Sequence, residues 1–370
     1  MRRLLAALFV VPFAALALAK APPDLARDWP IFRGNSLQTG VALGKLPDQL
    51  EVLWKFQAKE GIEGTAVIVG DTVYFGSFDT HLYAVDFATG KEKWKYQGGA
   101  FKAGPGVSEG VVVIGDEDGM VHAVDAKTGA KKWTFETQGE ITSGANFAGD
   151  YVLIGSHDST LYALNRADGK LAWKFKTQGP VNGSAVVAGD KTFVAGCDSN
   201  LHILDWKSGK SLGQVDLGGQ AAATAAVRGD RLFVGTMTNQ MLAVDVAKKE
   251  VAWAIESKKS QPFYASAAVL DHLVIVGCRD KLVYAFKPEQ GDIAWTYAAK
   301  GRVDSSPVVV GQRVYFGASD GTLYVIDRDK GTEVQKIELG KSIPAGPAVA
   351  QGKLVVGTMD GTLYCLGAKQ

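Results

Sequence analysis

The sequence predicts an all-β fold, an eight-bladed propeller with four-stranded antiparallel blades, and three observations predict it. A unit of about 40 residues recurs eight times, each unit holds four strand-length segments separated by turn signals, and a tryptophan recurs at a fixed offset within it. Aligned on the glycine that closes the second strand, the units fall at Gly76, Gly115, Gly155, Gly196, Gly235, Gly277, Gly317 and Gly357, in steps of 39 to 42 residues.

The first unit shows how each element is read. Thr65 to Val69 is a run of small and β-branched residues suited to the strand nearest the ring axis, Gly70-Asp71 turns it, and Val73 to Gly76 returns. Asp79-Thr80-His81 makes the next turn, and Leu82 to Asp86 with Glu92 to Gln97 forms the outer hairpin. Between those two strands lies Asp86-Phe87-Ala88-Thr89-Gly90, where the Asp side chain can bond the backbone ahead of it and Gly supplies a positive φ.

The tryptophans predict how the ring holds and closes. Trp94, Trp133, Trp173, Trp253 and Trp295 occupy one place in five units, with Gly213 and Gln335 at that place in two others. Lying flat between blades, such a ring buries about 150–250 Å², worth at most about 4–6 kcal/mol. The eighth unit ends at Tyr364-Cys365-Leu366 without the strand that would bear one, whereas Trp54 stands alone 40 residues before Trp94. Residues 51–57 are therefore expected to complete the last blade by pairing with residues 362–366, hiding otherwise open edges.

The organisation expected is a signal peptide over 1–19, an extended leader over 20–50 and one propeller domain over 51–367. Arg2-Arg3 precede an apolar run from Leu4 to Leu18, and Ala17-Leu18-Ala19 offers small residues for cleavage. That run is short for a span and no Cys lies near the cut, so the mature chain is expected to be periplasmic or secreted, without a lipid anchor or integral span. With 40 Lys and Arg against 39 Asp and Glu, no charge field exists to hold nucleic acid. A monomer is expected.

Little in the chain suggests catalysis. Three cysteines make no disulfide framework; Cys197 and Cys278 each follow the glycine ending a second strand, in blades too far apart to bridge, and all three, with Cys365, read as small buried residues. His81, His122, His157, His202 and His272 are scattered singly and read as packed or turn histidines, without zinc spacing. There is no nucleophile elbow and no phosphate loop.

The pattern Ala-x-Asp-x-x-Thr-Gly-x-x-x-Trp stands intact at Ala84 to Trp94 and Ala123 to Trp133, and with Asn165 and Asp168 substituted at Ala163 to Trp173. It resembles the tryptophan-docking motif of the quinoprotein, or PQQ-like, β-propeller superfamily, over residues 51–366. In size and lack of added domains the chain is similar to the BamB-like proteins of outer-membrane protein assembly, although the lipobox cysteine of such a subunit is missing. The segment Asp28-Trp29-Pro30-Ile31-Phe32-Arg33-Gly34-Asn35 resembles the opening of many exported proteins of this class.

That resemblance implies two functions. A quinoprotein dehydrogenase would need calcium held by a Glu, an Asn and an Asp, a base, and usually adjacent cysteines against the PQQ plane; this chain has no adjacent pair and only short turns. Glu63, Asn182 and Asp304 are nonetheless oxygen-ligand types suited to calcium. The reading preferred is a non-enzymatic binding scaffold without a cofactor, its partner another cell-envelope protein, with a quinone-dependent oxidoreductase or a small-ligand propeller as alternatives. The candidate site is the funnel mouth, where one position of each unit reads Glu63, Lys102, Thr142, Asn182, Ala222, Tyr264, Asp304 and Pro344 in turn, no two alike. Arg302 is expected to add steering charge at the rim.

Overall fold

The computed structural model describes residues 27–369 except residue 222, so the expected signal peptide and Ala222 lie outside the described residues. Eight antiparallel blades surround one axis. Blade 1 consists of Val67–Val69, Thr72–Gly76, His81–Asp86 and Glu92–Gln97, hydrogen-bonded in that order from the axis outward, and the later units repeat the arrangement. The innermost strand starts at Val67 and not at Thr65, because Thr65 takes part in a ring around the throat described below.

The closure expected from Trp54 is present. Glu51–Gln57 pairs antiparallel with Thr362–Gly367 as the outer strand of blade 8, and Trp54 stands opposite Cys365 as Trp94 stands opposite Ala84 in blade 1. The apolar core is divided into clusters shared by neighbouring blades; one joins Phe193, Ile203 and Val215 of blade 4 to Leu232, Leu242 and Val244 of blade 5.

Each tryptophan reaches from its own blade to the next. A bulge on the outer strand just before it, as between Lys131 and Trp133, turns the side chain out of the regular alternation. Trp133 Nε1 then donates to the Arg166 carbonyl at 2.9 Å, and its ring covers Gly169. Gly169 has φ +72°, and a Cβ there would lie 2.6 Å from the indole, so both backbone and space require glycine. The same bond and cover recur from Trp54 to Phe87 and Gly90, from Trp94 to Ala126 and Gly129, from Trp173 to Trp206 and Gly209, from Trp253 to Pro288 and Gly291, and from Trp295 to Arg328 and Gly331.

The two units without tryptophan use other joints. Where Gly213 replaces it in blade 4, Lys249 replaces the facing glycine of blade 5; its stem packs on Gly213 and its Nζ donates to the Leu212 carbonyl at 2.6 Å. Gln335 of blade 7 faces the incoming N-terminal strand. Its amide accepts from Leu50 N at 3.0 Å and donates to Leu50 O at 2.9 Å.

The leader is not an external arm. From the face bearing the Gly70-Asp71 turn it enters the axial channel, reaches its deepest point near Phe32 and Arg33, and returns to pair Val41–Ala42 in parallel with the innermost strand of blade 7. Innermost strands present an open edge to the axis, and their N–H groups need acceptors. Carbonyls of Trp29, Pro30, Ser36, Leu37, Thr39 and Gly40 accept from Ile68, Val107, Val187, Val227, Val269 and Val309, at 2.8–3.0 Å.

Candidate functional site

At the opposite end of the axis the segments entering the innermost strands enclose a cavity of about 520 Å³. Of the variable positions read from sequence, Glu63, Lys102, Thr142, Asn182, Tyr264, Asp304 and Pro344 all line it. Arg302 does not. Its exposed side chain stands outside the cavity while its backbone is tied to Ser319, whose N donates to Arg302 O and whose Oγ accepts from Arg302 N.

A second tier, missed in the sequence reading, stands fifteen residues after the first, in the turns between second and third strands. Thr142 Oγ1 and His157 Nε2 are 3.1 Å apart, Asn182 Nδ2 donates to Cys197 Sγ at 3.1 Å, and Arg279 lies over the Tyr264 ring at 3.7 Å. Arg279 also grips Asp304 with both oxygens engaged, Nε to Oδ1 at 2.9 Å and a terminal nitrogen to Oδ2 at 3.2 Å. His157 is thus a cavity residue and not merely a turn histidine. A periodic comparison of residues fifteen after each first-tier position would have exposed this tier.

The tier was hidden partly by a slip of one residue in blade 4. There the second strand ends at Ala195, paired with Leu201 as Gly76 is paired with Leu82, so Ala195 and not Gly196 is the counterpart of Gly76. Cys197 therefore matches Arg279, not Cys278, which corrects both the assumed equivalence of the two cysteines and the expectation that all three are buried. Cys278 and Cys365 are buried, and burial pushes their thiols up to about 12. Cys197 is half-buried, and its Sγ accepts from Asn182, a residue that lines the funnel.

Charge in the cavity is paired locally. Lys102 Nζ stands 3.7 Å from Glu63 Oε1; burial raises the Glu63 carboxyl above its ordinary range, and Lys102 opposes that rise. The hydrogen bonds to Asp304 hold the Arg279 guanidinium above its ordinary value.

Below these tiers lies the throat, two residues further along each unit, at Thr65, Gly104, Gly144, Ser184, Thr224, Ser266, Ser306 and Gly346. Backbone N–H groups donate to the hydroxyl of the next blade, Gly144 to Ser184, Ser184 to Thr224, Thr224 to Ser266, Ser266 to Ser306 and Gly346 to Thr65, at 2.8–3.1 Å. Phe32 of the leader also lines the cavity, and its Cβ would stand 3.2 Å from a Cβ at Gly144. The funnel is a blind cup, with a floor supplied by the leader.

A family described as Outer membrane protein assembly factor BamB matches residues 47–143, 117–212, 197–342 and 319–370. The chain belongs to that family. No curated protein matches it in sequence. Among solved structures, BamB from Moraxella catarrhalis is 20% identical and superposes with a TM-score of 0.74 over 87% of this chain and 98% of that one. Quinohemoprotein alcohol dehydrogenase ADHIIG from Pseudomonas putida HK5 is 14% identical, with a TM-score of 0.81 over 93% of this chain and 81% of that one. A europium-containing methanol dehydrogenase is also 14% identical, with a TM-score of 0.79 over 93% and 99%. At such identities these likenesses show the propeller fold alone.

The donor set of this BamB-family chain does not fit a calcium–quinone centre. Both Asp304 oxygens are taken by Arg279 and Glu63 is matched by Lys102, which leaves the Asn182 Oδ1, buried without a partner while Nδ2 donates to Cys197, as a lone neutral oxygen. Among the described residues no group of three or more His, Cys, Asp or Glu side chains is placed to hold a metal ion. No helix among them is long and apolar enough to cross a membrane.

Proposed function

We propose that this chain is a non-enzymatic binding scaffold of the bacterial cell envelope, acting in outer-membrane protein assembly through the funnel mouth. One observation carries the reading: the positions that break the eight-fold repeat converge on a single concavity, in a chain whose family is described by that assembly role. An asymmetric partner cannot be recognised by a symmetric ring, and rigid blades with short variable turns supply asymmetry without disturbing the core. The expected signal peptide over 1–19 supports a periplasmic or secreted location, and a monomer suits a ring whose edges are sealed.

The geometry changes which residues make a clean test. Asp304 and Tyr264 are locked together by Arg279, so replacing either disturbs a packed cluster and costs stability beyond that of a free loop residue. Lys102 and Thr142 are the better probes. The double variant Lys102→Gln with Thr142→Arg puts no second carboxylate beside Glu63 and is expected to cost no more than about 1 kcal/mol of stability. Retention of outer-membrane β-barrel proteins or their assembly factors on the immobilised chain, measured from envelope extracts, should fall by about tenfold or more. Retention equal to wild type would remove the funnel as the partner face.

A further inference from the structure

The leader is bound to the ring as a ligand is bound to a receptor. Its carbonyls accept from innermost strands of six different blades, and a seventh is reached through Asn146, whose Nδ2 donates to Ser36 O at 3.1 Å while its Oδ1 accepts from Phe147 N. Among the described leader residues only Val41–Ala42 form a strand, in parallel, while Trp29 makes a single antiparallel bridge to Ile68. The ring closes without it, since every blade has four other strands and blade 8 is sealed by Glu51–Gln57.

The fit is selective. Arg33 is fully buried with no carboxylate partner; one terminal nitrogen donates to Ala267 O at 3.0 Å and Pro307 O at 2.6 Å. The loss of water lowers its pKa to about 9. Gly40, at φ +64°, lies against the guanidinium so closely that a Cβ would stand 1.8 Å from a terminal nitrogen. The Trp29 ring, 2% exposed, packs on Gly34 in the same manner. Beyond Ala42 the chain emerges into an exposed connection, with Leu43 70% exposed and Asp48 and Gln49 at the surface.

We propose that the end of the axial channel away from the funnel is a peptide-binding site, specific for an extended segment carrying this Trp-Pro-Ile-Phe-Arg-Gly sequence, and that residues 29–42 occupy it as a ligand tethered in cis. The chemical class of ligand is a peptide whose backbone carbonyls satisfy the inner-edge N–H groups and whose arginine meets the carbonyls of blades 6 and 7. Because Phe32 floors the funnel, occupancy of this site also sets the depth of the cup. This inference does not depend on the funnel's partner.

The test keeps the full chain. A specific protease sequence is inserted between Asp48 and Gln49, and the folded protein is cut there. The N-terminal fragment is expected to co-elute with the ring, and the melting temperature of the cut protein should rise with added synthetic peptide of residues 27–44, since a ligand of the native state stabilises by mass action. The same peptide with Arg33→Ala should need at least about ten times the concentration, because two buried carbonyls lose a charged donor. Release of the fragment with the melting temperature of the uncut chain retained would overturn the proposal. So would a melting temperature indifferent to added peptide, or a cut protein that aggregates whether or not peptide is present.

Discussion

Replacing Glu51–Gln57 with an equal length of Gly and Ser is expected to lower stability by more than about 5 kcal/mol and to drive the protein into aggregates. The strand contributes the ladder to Thr362–Gly367, the Trp54 joint onto Gly90 of blade 1, and Phe56, whose ring meets Phe75 and Tyr83 edge-on at 5.6 and 5.2 Å. Truncation of one buried aromatic alone costs about 3–5 kcal/mol, and here two partly buried ones are lost together with a strand. The edge of Thr362–Gly367 is then open to another chain. Thermal melting and size-exclusion chromatography read both effects. A monomer with the wild-type melting temperature would contradict closure by this strand.

Trp133→Ala is expected to cost about 3–5 kcal/mol. The ring is 7% exposed, covers Gly169 and donates to the Arg166 carbonyl, so its loss opens a cavity between blades 2 and 3 and leaves that carbonyl without this donor. Lys249→Ala, at the joint between blades 4 and 5, removes a flexible stem and one exposed hydrogen bond and should cost less than about 1 kcal/mol. Denaturant unfolding of the two variants side by side decides the matter. Equal losses would show that the tryptophan is not the main link between blades.

The propeller was legible because its information is periodic. Eight copies of strand and turn signals reinforce one another, and the lone Trp54 marks the strand that closes the ring. What was not legible is what occurs once. The leader has no repeat to align with, and its place in the channel depends on three-dimensional coincidences, Arg33 against Gly40 and Trp29 against Gly34. The vacancy at Gly213 gave no hint that Lys249 refills it, because Gly213 lies on the outer strand of blade 4 and Lys249 in a turn of blade 5.

At the site, the first tier could be read by alignment alone, since scaffold positions hold still while these vary. The pairs that fix its chemistry could not. Arg279 belongs to a turn whose register slips in blade 4, where Ala195 takes the glycine's place, and its grip on Asp304 makes half of an ion pair of a carboxylate read from the sequence as a calcium-suited oxygen donor. Arg302, two residues before Asp304, stays exposed outside the cavity.

The central claim is that the funnel mouth, and not the opposite face, meets the partner. Photo-crosslinking groups placed singly at Thr142 and at Asp329, an exposed turn residue on the leader's side, test it in cells. The account predicts a covalent adduct with an outer-membrane protein or its assembly factor from position 142 and none from position 329. Adducts from position 329 with none from position 142 would contradict it.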